Sequence, residues 1–407
     1  MKHFYQMVRQ ITYLGFILVA AFAVRTFYDT IPNQIYIAQG EDISYDFQVP
    51  VKVVLKEDSE EVFENFSGDM KETDLAYTVT CKLFGLFPVK DVKVMLVEGE
   101  QVYVSGMPIG IYAKTDGVLI IGTGAVTDEA GKEVRPAENL VKAGDYIVSV
   151  NGETVSGKEE LVEKIDHYGA RKEVLGIRRN REYIEVALQP VRSGEGNYML
   201  GIWVRDDLAG VGTLTYCEDN GHFGALGHAV SDGDTGTLME MSQGWIYMTD
   251  IVGIKKGKGG TPGELSGIID YSKEECLGSI TENSSIGIHG VLDGNTKKVY
   301  RGDLYEAAYK QEIETGSAYI ISSVSGESRQ YEIHIESLDY SGNEENKGIL
   351  FRVTDPKLLE LTGGIVQGMS GSPIIQNGKI IGAVTHVFVQ DSTRGYGIFI
   401  ENMLEYN

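Results

Sequence analysis

The chain has 407 residues, with 59 acidic and 36 basic side chains and a formal net charge of −23 at neutral pH. The length predicts two or three domains, and 50 glycines against 9 prolines, with many β-branched residues in short apolar runs, favour a mostly β architecture. The negative charge argues against nucleic acid as a partner, because phosphate binding needs positive charge. The cysteines, Cys81, Cys217 and Cys276, are too widely spaced for a zinc pattern or a disulfide framework, and no metal or cofactor is expected.

The first segment of the chain has the pattern of an export signal. A basic stretch, MKHFYQMVRQ, precedes an apolar run from Ile11 to Val24, which Arg25 interrupts. The run is short for a membrane-spanning helix but fits the apolar part of a secretory signal, and Ala21 and Ala23 offer a small-x-small cleavage pattern. We therefore expect residues 1–28 to direct export across a membrane, either as a cleaved signal or as a retained anchor.

Residues 29–98 are predicted to form a β-rich region. The segments QIYIAQGEDISYDFQVPVKVVL and AYTVTCKLFGLFPVKDVKVMLV alternate apolar and polar side chains, as half-buried strands do. The acidic stretch between them, Lys56 to Asp74, is predicted to be a solvated loop.

The order of predicted elements changes over residues 99–193. A strand, an Asn-Gly hairpin turn and an amphipathic helix follow one another, and Ser156 or Gly157 is the expected cap of that helix. The side chains predicted on its buried face are Leu161, Val162 and Ile165.

The segment AGDYIVSVNG, residues 143–152, resembles the A-G-D-x-I-x-x-V-N-G core of bacterial protease PDZ domains. PDZ domains bind extended peptide ends by strand addition, with backbone N–H groups holding the terminal carboxylate. The resemblance implies that Ile109, Gly110 and Ile111 form the peptide-binding loop and lead into the groove strand. A PDZ-like fold used only for packing stays open as the alternative.

Residues 194–407 read as short strands and glycine turns of one or two antiparallel sheets or barrels. Within them, QGMSGSPII places Ser370 between Gly368 and Gly371, in a turn that can expose a hydroxyl and point backbone N–H groups the same way. A serine needs a base to take its proton. Of the seven histidines, five lie outside the export segment and the PDZ helix: His222, His228, His289, His334 and His386.

Two stretches, GALGHAVSDGDTG around His228 and TDPKLLELTGGIVQGMSGSPII around Ser370, resemble the signature blocks of the stage IV sporulation protein B (SpoIVB) peptidases. The order of export segment, β-rich region, PDZ core, His block and Ser block is also similar to that family. The resemblance implies a chymotrypsin-like double β-barrel in which Ser370 is the nucleophile and His228 the general base. It further implies an oxyanion hole formed by the N–H groups of Gly368 and Ser370.

The third member of the site is open at this stage. Asp355 matches an aspartate of the family block, but it also reads as the N-cap of a short helix with Pro356 in the first position and Gly363 or Gly364 at the end. Other candidates are Asp232, Asp234 and Asp250. A backbone carbonyl or a water could set the histidine tautomer without any aspartate.

The family resemblance implies an exported endopeptidase that acts in the space between the forespore and mother-cell membranes. It would cleave itself and a regulator of an intramembrane metalloprotease, which then activates a late mother-cell sigma factor. The expected partners are protein substrates, a peptide segment bound by the PDZ domain, for which the chain's own N-terminal region is one candidate, and the membrane. The alternative is a non-catalytic, membrane-tethered PDZ signalling adaptor.

Overall fold

The computed structural model describes residues 2–38, 51–55, 76–97, 99–294, 302–342 and 344–404, so the predicted acidic loop lies outside the described residues. Helix α1, Lys2–Thr30, opens the chain. Within it, Arg9–Tyr28 is long and apolar enough to cross a membrane, by length and composition.

A small sheet follows α1, with its four strands in the order β1-β4-β3-β2. The strands are β1 Gln34–Ala38, β2 Val51–Leu55, β3 Ala76–Leu83 and β4 Phe87–Val97. Strand β1 pairs parallel with β4, and the other pairs are antiparallel. Alternate residues of the strands fill one core, which includes Ile31, Ile35, Val79 and Val92. This part of the predicted β-rich region is confirmed.

Strand β5, Gln101–Thr123, is 23 residues long, and its C-terminal half enters a small domain. The further elements of that domain are β6 Val126–Thr127, β7 Glu133–Val134, β8 Tyr146–Val150, β9 Glu153–Thr154, α2 Lys158–Tyr168, β10 Glu173–Arg179, β11 Glu182–Leu188, β12 Val191–Arg192 and β13 Tyr198–Met199. Strand β8 pairs with β10 and with β5 near its end. Helix α2 packs against β8, and its Leu161 and Ile165 share one core with Val118 of β5 and Leu175 of β10. This is the predicted PDZ region.

Local signals in the PDZ segment are largely confirmed. Asn151 and Gly152 have φ of 51° and 83° and form the tight turn between β8 and β9. Gly157 is the N-cap of α2, and Leu161 is buried as predicted. Val162 was predicted on the same face, but its side chain is 55% exposed. Successive residues of a helix point about 100° apart, so Val162 turns away from the sheet that Leu161 faces.

Strand β14, Ile202–Cys217, runs back along β5 from Ile202 opposite Thr123 to Cys217 opposite Tyr103. The strands that follow are β15 His222–Ala225, β16 Met241–Lys255, β17 Gly263–Ile269, β18 Cys276–Ser284 and β19 Gly287–Leu292. Pairings β5–β14, β14–β15, β15–β19, β19–β18, β18–β16 and β16–β5 return to the starting strand. These strands therefore form a closed six-stranded barrel.

The structure places Ile109, Gly110 and Ile111 inside this barrel, so their prediction as the PDZ peptide-binding loop is wrong. They lie in the first half of β5, where Gly110 pairs with Val211 on one side and with Tyr247 on the other. Both edges of the strand are occupied, and Ile109 and Ile111 are buried in the barrel core, which leaves no edge for an added peptide strand.

The PDZ domain is consequently an insertion in the β5–β14 hairpin of the barrel. Val118 and Ile120, at the far end of β5, pack in the PDZ core, whereas Ala113 packs in the barrel core. The predicted PDZ domain, residues 99–193, includes the whole of β5. In the structure the first half of β5 packs in the barrel core, and only its second half packs in the PDZ core.

The rest of the chain forms a second barrel. Its elements are β20 Leu304–Ala307, β21 Gly316–Ser322, β22 Arg329–Leu338, β23 Ile349–Val353, α3 Pro356–Thr362, β24 Val366–Gln367, β25 Pro373–Gln376, β26 Lys379–Val387, β27 Arg394–Phe399 and α4 Ile400–Leu404. The ring β26–β25–β21–β22–β23–β27 closes on itself around a core rich in isoleucine and valine. The predicted double β-barrel is confirmed.

Candidate active site

His228 and Ser370 come from different barrels and line the same cleft. His228 follows β15 of the first barrel, and Ser370 lies in the turn before β25 of the second. Both residues line a cleft of about 440 Å³. Strand β14 joins the barrels at this point, because the Thr213 N–H donates to the Ser370 carbonyl (2.9 Å) and the Thr213 hydroxyl to the Gly368 carbonyl (2.9 Å).

The turn that carries Ser370 depends on its glycines. Gly368 and Gly371 have φ of 98° and 95°, in the region that L side chains rarely adopt. A Cβ on Gly371 would lie 2.1 Å from the Thr213 carbonyl oxygen. Within the described part of the chain, the N–H groups of Gly368 and Ser370 donate to no backbone or side-chain acceptor. Unpaired donors beside a serine hydroxyl are what an oxyanion hole requires.

The Ser370 hydroxyl donates to the Thr385 carbonyl at 2.9 Å. This hydrogen bond holds the side chain against β26 of its own barrel. Attack on a substrate therefore requires Oγ to leave the Thr385 carbonyl and turn toward a base.

The contacts of His228 set its tautomer. Its Nδ1 lies 2.8 Å from the Ala229 carbonyl oxygen, and because a carbonyl can only accept, Nδ1 carries the proton. Nε2 is thus left with the lone pair that a general base uses. Burial lowers the pKa of His228, an effect that the bond to Ala229 opposes, so the ring is neutral at neutral pH. In this conformation a backbone carbonyl, and not a carboxylate, holds the ring in that tautomer.

A second imidazole, from His386, lies in the cleft beside His228. The ring centroids are 5.3 Å apart, with 41° between the ring planes. Among the described residues, its Nδ1 is buried without a hydrogen-bond partner. Burial, with smaller contributions from His228 and Lys347, lowers the pKa of His386 to about 4. His386 was one of five candidate histidines, and the sequence gave no reason to prefer it because THVFV lacks a motif. It lies on β26, the second strand after the Ser370 turn, next to the Thr385 carbonyl that accepts the Ser370 hydroxyl.

The predicted carboxylates make structural contacts. Asp355 is the N-cap of α3 and accepts the N–H groups of Lys357 (2.8 Å) and Leu358 (3.0 Å), with Gly363 as the C-cap. This confirms the predicted helix cap; the orienting role of Asp355 stays a prediction.

Asp232 and Asp234 shape the loop that follows His228. Asp232 is buried, pairs with Arg205 and accepts the N–H groups of Asp234 (3.0 Å) and Thr235 (2.9 Å). Asp234 pairs with the same Arg205 at 2.8 Å. Asp250 lies within β16, opposite β17. These contacts explain the aspartates of the GHAVSDGDTG segment as loop-forming residues.

Asn283 anchors the other side of the His228 loop. Its amide accepts the Val230 N–H (2.8 Å) and donates to the carbonyls of Val230 (2.9 Å) and Met239 (3.0 Å). Because Val230 is two residues from His228, this clamp fixes the backbone that positions the imidazole. The described residues contain no group of three or more His, Cys, Asp or Glu side chains that could hold a metal ion.

Two closed barrels, with a serine and a histidine in the cleft between them and a PDZ domain in the same chain, define a serine peptidase with protein substrates. Residues 196–404, just over half of the chain, match the family described as SpoIVB peptidase S55, and the chain belongs to that family.

Three solved structures are similar to parts of the chain. The PDZ domain of an SdrC-like protein from Listeria innocua has 20% identity over 22% of this chain and 94% of its own, with a TM-score of 0.19. Its counterpart from Listeria monocytogenes has 19% identity over 22% and 87%, with a TM-score of 0.18. An HtrA-type protease with a decapeptide has 11% identity over 74% and 63%, with a TM-score of 0.30. No curated protein matches this chain.

Proposed function

We propose that this serine peptidase is an exported endopeptidase of sporulation signalling that cleaves itself and a regulator of an intramembrane metalloprotease, leading to activation of a late mother-cell sigma factor. The observation that carries the peptidase part is the shared cleft of His228 and Ser370 beside two unpaired N–H groups. The membership of the family supports the sporulation role. The apolar helix α1 supports export across, or anchoring in, the cytoplasmic membrane, and we place the enzyme in the space between the forespore and mother-cell membranes.

The catalytic step follows from the groups in the cleft. The Ser370 hydroxyl leaves the Thr385 carbonyl, gives its proton to Nε2 of His228 and attacks the scissile carbonyl carbon. The N–H groups of Gly368 and Ser370 bind the negative charge that develops on the carbonyl oxygen. The protonated His228 then gives its proton to the leaving amine, and water hydrolyses the acyl-enzyme by the reverse sequence.

The lining of the cleft indicates the kind of segment that it accepts. Around the polar pair, the side chains are mostly apolar: Ile111, Leu208, Val211, Leu226, Pro262, Ile365, Val366, Val387 and Val389. Such walls favour extended substrate segments with apolar side chains and disfavour charged ones, because a charge would lose its hydration there. A peptide library should therefore show apolar residues next to the scissile bond.

The test is labelling of the full chain in detergent with a serine-directed fluorophosphonate, together with cleavage of its own N-terminal region. Labelling and self-cleavage are expected for the wild type and are lost in Ser370→Ala and His228→Ala. His222→Ala is the matched control, because His222 lies on β15 at the opposite end from the cleft loop. A peptide that fills the PDZ domain is added in parallel, so that a latent enzyme is not mistaken for an inactive one.

Equal self-cleavage by Ser370→Ala would refute the peptidase assignment. Absence of labelling under every condition would favour the non-catalytic adaptor. The sporulation role is tested separately, by asking whether cells carrying Ser370→Ala at the native locus still activate the late mother-cell sigma factor; normal activation would refute it.

A further inference from the structure

The turn between β3 and β4 presents three large apolar side chains to solvent. Phe84, Leu86 and Phe87 are 67%, 73% and 64% exposed, and we refer to them as the apolar tip. The turn is well formed: the N–H of Gly85 donates to the Lys82 carbonyl (3.0 Å) and that of Leu86 to the Leu83 carbonyl (3.1 Å). A contiguous apolar cluster on a tight hairpin is unusual on a surface as acidic as this one and indicates a binding function.

The apolar tip lies on the same side of its sheet as the end of α1. Strand β1 begins just after α1 and therefore runs away from the end of the helix. Strand β4 is parallel to β1, so the turn that precedes β4 lies at the end of the sheet nearest the helix. Lys90 fixes this arrangement: its ammonium donates to the Tyr28 carbonyl (3.2 Å) and the Ile31 carbonyl and sits 4.5 Å from the centre of the Tyr28 ring. Phe87 is three residues before Lys90, about 10 Å along the strand.

That end of α1 is also the end of its membrane-spanning segment. The span ends at Tyr28, the residue whose carbonyl Lys90 contacts. A tyrosine at the end of an apolar span is typical of the membrane–water interface. The apolar tip lies about 10 Å from this contact, in the direction of the membrane, and is therefore at the depth of the headgroups and the first acyl carbons.

The charges around the apolar tip fit a lipid surface. Lys52 and Lys82 are cross-strand neighbours beside the turn, and the Lys52 side chain packs next to Gly85. These two lysines are adjacent positive charges in a chain whose net charge is −23. Lysines that flank an interfacial apolar segment bind anionic headgroups, while their methylene chains lie along apolar surface. Asp91, which accepts a hydrogen bond from the Thr80 hydroxyl at 2.7 Å, is a neighbouring acidic group.

We propose that the apolar tip inserts into the interface of the bilayer that α1 spans, with Lys52 and Lys82 against anionic headgroups. The hairpin then gives the enzyme a second membrane contact that does not depend on α1. This rests on the membrane anchoring within the proposed function. It also implies that self-cleavage on the C-terminal side of α1 would leave the peptidase bound at the membrane surface.

The test places a fluorophore at the apolar tip of the full chain, in the Ser370→Ala background so that α1 stays attached. Leu86→Trp is compared with Val252→Trp, since Val252 is similarly exposed (60%) but lies on β16 of the first barrel. The parent spectrum, which contains Trp203 and Trp245, is subtracted from both. The proteins are reconstituted into vesicles of phosphatidylcholine, with or without phosphatidylglycerol, that carry brominated acyl chains, and are recovered by flotation.

The expected result is a blue-shifted emission and several-fold stronger quenching by the brominated lipid for Leu86→Trp than for Val252→Trp. Quenching should be stronger with phosphatidylglycerol, and that increment should disappear in Lys52→Glu/Lys82→Glu. Equal quenching in both lipids would overturn the role of the lysines. If the Leu86→Trp protein floats with the vesicles while the emission of the introduced indole stays that of a solvated ring, the membrane contact alone is overturned. A protein that fails to float would overturn the anchor as well.

Discussion

The half-buried imidazole of His386 predicts how the stability of the enzyme depends on pH. Its pKa in the folded protein is about 4, below the ordinary value of 6.5, mainly because burial disfavours the charged ring. Between these two values the unfolded chain binds a proton at this residue and the folded protein does not. The free energy of unfolding therefore falls on acidification through this window and is fully present above pH 6.5.

The size of the effect follows from the difference between the two pKa values. Between pH 7 and pH 5 the shift of His386 accounts for a loss of about 2 kcal/mol in the free energy of unfolding. This is an upper limit, because the ring is only partly buried and solvent screens part of its charge. The glutamine of His386→Gln has no proton to gain, so this variant should lose correspondingly less free energy of unfolding between pH 7 and pH 5. The half-buried His228 and the buried His289, whose pKa values are also lowered, act in the same direction and keep some of the pH dependence in the variant.

The measurement is urea unfolding at pH 7 and pH 5, in the Ser370→Ala background so that self-digestion does not intervene. The decisive quantity is the change in the free energy of unfolding between the two pH values, for the parent and for His386→Gln. His334→Gln is the matched control, because His334 is exposed on β22 of the same barrel. If the parent and His386→Gln lose the same amount on acidification, the description of His386 as a neutral, desolvated ring is refuted.

Three further predictions concern the elements that position the site. Gly371→Ala should reduce the free energy of unfolding by at least about 2 kcal/mol and abolish turnover, because the new Cβ meets a backbone oxygen at a positive φ. Thermal unfolding measures the loss, and Gly378→Ala is the control for backbone strain alone, because Gly378 has a φ of 81° with open space around it. Asp355→Asn should keep the helix cap and leave kcat/KM within a few-fold of the wild-type value, whereas Asp355→Ala should lower the free energy of unfolding by about 1 kcal/mol. A fall of about 10⁴ in kcat for Asp355→Asn would instead establish the aspartate as the group that orients His228. Asn283→Ala should lower kcat with little change in KM, because it loosens the loop behind His228, the proposed general base. Unchanged steady-state kinetics would contradict this positioning role.

The sequence predicted the features that depend on neighbouring residues. The Asn151-Gly152 turn, the Asp355 cap and the alternation of the barrel strands are set by φ preferences, capping hydrogen bonds and the two-residue period of a strand. The pairing of His228 with Ser370 was predicted from the resemblance of two segments, and both residues line one cleft.

The features that sequence reasoning missed depend on contacts between distant residues. An apolar run such as VSGMPIGIYAK reads equally well as a PDZ groove strand or a barrel strand, and only its pairing with β14 and β16 decides between them. The position of His386 beside His228 likewise arises from the meeting of two barrels. The contact between His228 Nδ1 and the Ala229 carbonyl has no sequence signature, because every residue carries a carbonyl.

The long β5–β14 hairpin makes the peptide-binding module continuous with the catalytic barrel. Lys114 and Asp207 face each other across the ladder where the two cores divide, so a short turn could join them and bypass the intervening segment. Removing the module by truncation, in contrast, would take an internal strand out of the barrel and unfold it. The same two strands continue to Val211, in the wall of the cleft that Ser370 lines, so a twist of the module on peptide binding would reach that wall along them.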